Sequence, residues 1–199
     1  MADISLNESD EVTIADAAGV NKLVVNLDGS INIAGIVSNI PAANTISTYT
    51  SQGKVFTLSG AISAATSGVN NPIFLIKNPS GSGKTLYLYR VIMACSINNV
   101  SVKFGIYYNP TITTNGTAAT PRNNLIGSAV TAVATASSLP SLSATGTLLS
   151  TLQTGQNSNS IDFMGDFSIQ ILANNNIVIT ADPSSNGREV SMTIVWAEV

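Results

Sequence analysis

Histidine is missing altogether from these 199 residues, and cysteine occurs once, as Cys95. The first absence excludes Ser-His-Asp triads, Cys-His dyads, HExxH zinc sites and imidazole acid–base chemistry. The second excludes an intrachain disulfide framework and any multi-thiolate zinc site. Cys95 ends the apolar run Val91-Ile-Met-Ala-Cys95, so it is expected to be a small core residue. Charge is also scarce, with eight Lys and Arg and eleven Asp and Glu, ten per cent of the chain, for a net charge of −3. The basic residues are scattered singly, so there is no basic face to displace counterions from phosphates, and nucleic acid is not an expected partner.

The carboxylates are absent where an enzyme would need them. Asp3, Glu8, Asp10, Glu11, Asp16 and Asp28 stand at the start and Asp162, Asp166, Asp182, Glu189 and Glu198 at the end, with none between. Glycosidases and two-metal nucleases need paired carboxylates a few ångströms apart, which the long middle cannot supply. Asp162-Phe-Met-Gly-Asp166 is the one local pair, expected in a solvated loop before a strand. Calcium would need more oxygen ligands and a DxDxDG-like spacing, so no metal is assigned there. No cofactor or catalytic residue is assigned elsewhere. Apolar runs never approach the ~20 residues that cross a bilayer, and the N-terminus lacks the pattern of a signal peptide. The product is expected to be made in the cytoplasm with no membrane partner.

What the chain does have is hydrophobicity, at forty-four per cent, offset by uncharged Ser, Thr, Asn and Gln. Glu11–Ile14, Lys22–Asn26 and Ser30–Ile33 are short β-branched runs punctuated by Ala-Gly and Asp-Gly, the pattern of a small β-meander. The expected organisation is an extended β-meander arm over 1–37, a Ser/Thr/Pro-rich linker over 38–53 and a β-sandwich over 54–199. In the last region strands are expected at Lys54–Leu58, Pro72–Lys77, Thr85–Ala94, Ser101–Tyr108, Gly146–Ser150, Phe167–Leu172, Ile177–Thr180 and Glu189–Trp196. Eight such strands fit an all-β, two-sheet antiparallel sandwich of jelly-roll-like form. Phe56, Phe74, Leu86, Leu88, Phe104, Ile106, Ile169, Ile171, Ile194 and Trp196 are expected to face inward.

The outward faces are less polar than those of a free sandwich. Tyr87, Tyr89, Tyr107 and Tyr108 are the candidate oligomer or partner contacts, because tyrosine tolerates water yet buries a large area at an interface. Residues 109–156, rich in Thr, Ser, Ala and Asn, read either as a flexible surface loop or as an inter-subunit packing segment.

Asn78-Pro-Ser-Gly-Ser-Gly-Lys-Thr85 ends like a phosphate-binding P-loop, GxxxxGK[ST]. The first glycine of that motif is replaced by Asn78, and no carboxylate for Mg²⁺ follows before Asp162. The residues after Thr85, Leu-Tyr-Leu-Tyr-Arg-Val-Ile, alternate as a strand, whereas a P-loop opens a helix. The stretch is therefore expected to be a hairpin turn between two antiparallel strands, with Pro79, Gly81 and Gly83 bending the chain.

Four segments, "EVTIADAAGVNKLVVNLDGSINI", "FLIKNPSGSGKTLYLYRV", "NGTAATPRNN" and "NNNIVITADPSSNGREVSMTIVWAEV", together resemble the small virion proteins of tailed bacteriophages, a group of head-fibre, capsid-decoration and tail-fibre-like products. That resemblance implies a non-enzymatic β-sandwich subunit, commonly a homotrimer, attached to capsid or tail through its N-terminal segment. The implied location is the virion, and the implied partners are other virion proteins. The alternative is a receptor- or glycan-binding tail-fibre module that grips a host surface through loops at 109–124 or 184–188.

Overall fold

The computed structural model describes residues 46–96, 100–154 and 160–199, preceded by four short strands, with the backbone alone described for those strands and for 164–168. The chain divides into two compact units, Met1–Ser47 and Thr48–Val199. The first unit is a four-stranded antiparallel meander: β1 (Asp3–Leu6), β2 (Val12–Ala15), β3 (Lys22–Val25) and β4 (Ile31–Ala34), paired in chain order. Its first strand precedes the runs that alternation picks out.

A short helix, α1 (Ile46–Ser51), runs across the boundary into the second unit, inside the stretch expected to be linker. Gly53, at φ 67°, ends it: Gly53 N donates to Thr50 O and Lys54 N to Tyr49 O, the paired closure of a glycine-capped helix. Eight long strands follow: β5 (Val55–Ala65), β6 (Asn71–Lys77), β7 (Leu86–Cys95), β8 (Val102–Tyr108), β14 (Thr147–Gln153), β15 (Ser160–Ile171), β16 (Asn176–Pro183) and β17 (Arg188–Glu198). Between β8 and β14 lie five short ones: β9 (Thr111–Thr114), β10 (Thr117–Ala119), β11 (Arg122–Asn123), β12 (Thr135–Ser138) and β13 (Ser141–Ala144).

These strands build an all-β, two-sheet antiparallel sandwich. One sheet has the order β10-β12-β6-β16-β8-β14, the other β11-β5-β17-β7-β15. Alternation drives the arrangement, because one face of each strand must leave water. All ten residues expected to face inward pack in or against a single core, Ile169 at its margin and the other nine fully buried. Trp196 and Phe56 form its aromatic centre, with ring centroids 6.2 Å apart. At Gly60 a Cβ would come within 2.7 Å of the Phe74 ring, so the missing side chain is what lets that ring fill the core.

Two expectations change here. β6 and β7 lie in different sheets, so residues 78–85 connect sheet to sheet and do not form a hairpin. Sheets stack about 10 Å apart, a gap that an eight-residue connection spans and a tight turn does not. Residues 109–156, expected to be either a flexible surface loop or an inter-subunit packing segment, contain six strands, the five short ones and β14. β9 and β13 pair with each other as a separate ribbon. Because β8 and β14 stand at one edge of the six-stranded sheet and β10 and β12 at the other, the ribbon runs from edge to edge. Lys77, on the outward side of β6, reaches it through Nζ to Asn115 Oδ1 at 2.7 Å. Gly146 closes its other end, where a Cβ would come within 2.3 Å of Tyr108 O.

The ribbon explains the apolar outer face. Leu75, Val178 and Tyr107 alternate out of the inter-sheet core and are nonetheless buried, as is Thr180. Tyr107 lies over Gly105, where a Cβ would come within 2.4 Å of its ring.

Candidate functional site

The P-loop look-alike is held by its odd residue. Asn78 is buried, and its Nδ2 donates to Lys84 O at 2.8 Å and Ile171 O at 2.9 Å. Its backbone N donates to Asn175 O, and its carbonyl accepts from Asn174 N. Gly81 and Gly83 adopt φ 73° and 64°, conformations open to glycine at little cost. Three of the amides that would face a phosphate are already engaged: Ser82 N by Pro79 O, Lys84 N by Ser82 Oγ and Thr85 N by Val199 O. β7 follows directly, with no helix. The stretch is a structural connection.

Asp162 lies within β15, not in a loop ahead of a strand, since pairing with β7 extends that strand back to Ser160. Across the pair its carboxylate accepts from Arg90, Nε to Oδ1 at 2.9 Å, with Nη2 to Oδ2 completing a two-pronged ion pair. This bond holds the carboxyl below the usual carboxylate range and the guanidinium above its ordinary value. The side chain of Asp166 lies outside the described residues. Among the described residues no three metal-ligating side chains gather. Cys95 is buried in the core.

The four tyrosines occupy three separate surfaces. Tyr87 and Tyr89 are half-buried on the outer face of the five-stranded sheet. Tyr107 is buried on the outer face of the six-stranded one, and Tyr108 is exposed at a groove. That groove, of about 540 Å³, opens where the edges of β14 and β15 fail to close the sandwich. Tyr108, Leu149, Ile169 and Leu172 supply its apolar lining, and Asn109, Gln170, Asn175 and Asn176 its amides. Leu148, beside it on β14, is also exposed. Edge strand β14 carries no charge and no proline, and its one irregularity is a register shift between Leu148 and Ser150. Natural edges are usually blunted by such features.

The opposite lateral side is closed by residues 124–134, which join β11 of one sheet to β12 of the other. Glu198, buried, anchors this connection by accepting from Val133 N at 2.7 Å, Ala134 N at 3.0 Å and Trp196 Nε1 at 3.1 Å. Asn123 adds bonds from Nδ2 to Gly53 O and Val130 O. On this fixed support Leu125, Ile126, Val130 and Val133 are exposed, Ile126 at 98%. Neither apolar patch is foreseen by alternation. The signals available were the doublets Leu148-Leu149 and Leu125-Ile126, which a two-residue period cannot bury on one face.

The arrangement offers contact surfaces. The described residues place no nucleophile beside a base and no acid pair in the groove. No family model matches the chain, and no curated protein matches it either.

Proposed function

We propose that this chain is a non-enzymatic structural protein of a bacteriophage virion, a head-fibre or decoration protein attached to capsid or tail through residues 1–37 and displaying an oligomeric sandwich, most simply a homotrimer. The observation that carries the reading is the strand order. Without the short strands, one sheet runs β5-β17-β7-β15 and the other β6-β16-β8-β14. This order supports the jelly-roll reading, an architecture used in viral capsid and lectin domains. The partition of charge agrees with it. The first 47 residues hold six carboxylates against Lys22 alone, while 48–199 hold seven basic residues and five acidic ones. A separate acidic meander ahead of a nearly neutral sandwich suits one part for attachment and another for display.

The test is attachment. Particles lacking this protein, mixed with the full chain, should bind it as an oligomer measured by light scattering, and a chain without residues 1–37 should stay in the supernatant. A monomer that binds as well without its arm would overturn the reading.

A receptor- or glycan-binding module is the second reading. One observation favours it: the loops at the end away from α1 are held firmly by side chains. Asp182 Oδ1 accepts from Gly68 N and Asn186 Oδ1 from Ser67 N, both at 2.7 Å, and Asn71 Nδ2 donates to Thr66 O, Val69 O and Ala181 O. Binding of the isolated chain to host cells, abolished by substitutions at Ser184–Arg188, would establish it, and a blank glycan array would count against a sugar ligand.

A further inference from the structure

We infer that the exposed apolar connection of one copy, with Ile126 at its tip, seats in the β14/β15 groove of the next, so that copies join head to tail into a closed ring. This deepens the oligomeric part of the reading above and rests on it.

The two patches lie on opposite lateral sides of the sandwich but at the same end. Asn124 N donates to Val55 O at the start of β5, so Leu125 and Ile126 stand beyond that end. Ala197 pairs with Val55 and with Tyr87, and Glu198 pairs with Leu86, which itself pairs with Ile171 on the groove wall. In the other sheet Ile177 pairs with Tyr108 and Ile76, again at the groove. A projection and a groove at one height on opposite sides are joined by rotation about an axis along the strands. Such a heterologous contact closes into a ring when the rotation divides the circle.

The areas match. Leu125, Ile126, Val130 and Val133 on one side and Tyr108, Leu148, Leu149 and Leu172 on the other are four large apolar side chains each, exposed to comparable extents. A standard interface buries about 800 Å² per partner, of which a little over half is apolar. Seating one patch on the other would give such a contact its apolar centre. Neither holds a charge that burial would strand. The chemistry also fits a copy of this chain: the tip is aliphatic, Ile169 and Ile177 line the groove, and Asn175 is fixed beside them, its Nδ2 donating to Leu172 O and Ala173 O and its Oδ1 accepting from Asn109 Nδ2. Glu198, by fixing 133–134, keeps the projection in one shape and lowers the ordering cost of association.

Two measurements test this. Light scattering of the full chain should give one oligomeric mass, and Ile126→Asp should raise the concentration for dissociation at least tenfold while leaving the thermal transition of the sandwich intact. Leu172→Asp, on the other partner surface, should act alike and guards against a folding defect in either variant. In a Cys95→Ala background, Ile126→Cys mixed with Leu172→Cys should be joined by a short bis-maleimide. Neither protein alone should link, and the double variant should give covalent rings of that one mass. An oligomer unchanged by both Asp variants, or one that links 126 to 126, overturns this contact and leaves the virion reading standing. A monomer at every concentration overturns both.

Discussion

The two outer faces of the sandwich are built differently although their strands look alike. On the six-stranded sheet the outward residues Leu75, Val178, Thr180 and Tyr107 are buried, with the β9/β13 ribbon drawn across from edge to edge. On the five-stranded sheet the outward residues Tyr87, Tyr89, Arg90 and Asp162 are half-buried or exposed, and the Ser59 and Thr193 hydroxyls are hydrogen-bonded to each other at 2.9 Å. One face is effectively a second, thin core. The other is an ordinary wet face whose described residues include hydroxyls, aromatics and the Arg90–Asp162 ion pair. The difference accounts for the high hydrophobicity of a chain with so little charge: part of its apolar surplus is covered by its own ribbon.

That contrast can be broken most forcefully at Leu75. Leu75→Ala should destabilise by about 2–5 kcal/mol, as for a buried leucine, in chemical denaturation. A loss as small as that of Tyr87→Ala would mean that the ribbon encloses no core. Next comes Glu198→Ala, which strands two backbone amides and the Trp196 indole. A loss of about 2 kcal/mol is expected from unsatisfied buried donors, with earlier proteolysis near Val133. Gly105→Ala should cost about 1–3 kcal/mol by overpacking, because Tyr107 must leave its place over the glycine, and tyrosine fluorescence should report the shift. Tyr87→Ala, on the wet face, should fall below all three.

The smallest effect belongs to Arg90 and Asp162. The carboxyl is depressed in the folded state, so its contribution is full above its unfolded value and fades as pH falls through the folded one. The melting difference between the parent and Asp162→Asn should therefore shrink in acid, below about pH 4. Both groups are exposed, so the difference is small at any pH. A difference that grew in acid would reverse the assignment.

Much of the sandwich was legible in the sequence because inward residues follow a two-residue period. Phe104, Ile106, Ile194 and Trp196 are inward for no other reason than alternation. The period says which face a residue takes and not which sheet its strand joins, so β6 and β7 read as a hairpin. The run Ile73–Ile76 is buried on both faces, but nothing local says that a Thr- and Ser-rich segment forty residues on provides the second cover. Small hydroxyl side chains give the ribbon no period of its own. At the surface, tyrosine drew attention to Tyr108, whereas its groove partners Leu149 and Leu172 and the exposed Ile126 carry no turn or motif chemistry that sets them apart.

The position of β17 bears on how the protein comes into being. The sandwich strand furthest along the chain, β17, lies between β5 and β7, and Ser59 meets Thr193 across 134 residues of chain. Pairing over such a separation is slow to form. On the ribosome, the five-stranded sheet has a gap at its middle until Arg188–Glu198 has emerged, with the facing edges of β5 and β7 both unpaired and apolar. A chain released before Arg188 does not become a slightly shorter sandwich. It has two sticky edges and no centre, so premature termination should yield aggregates and no assembly-competent fragment.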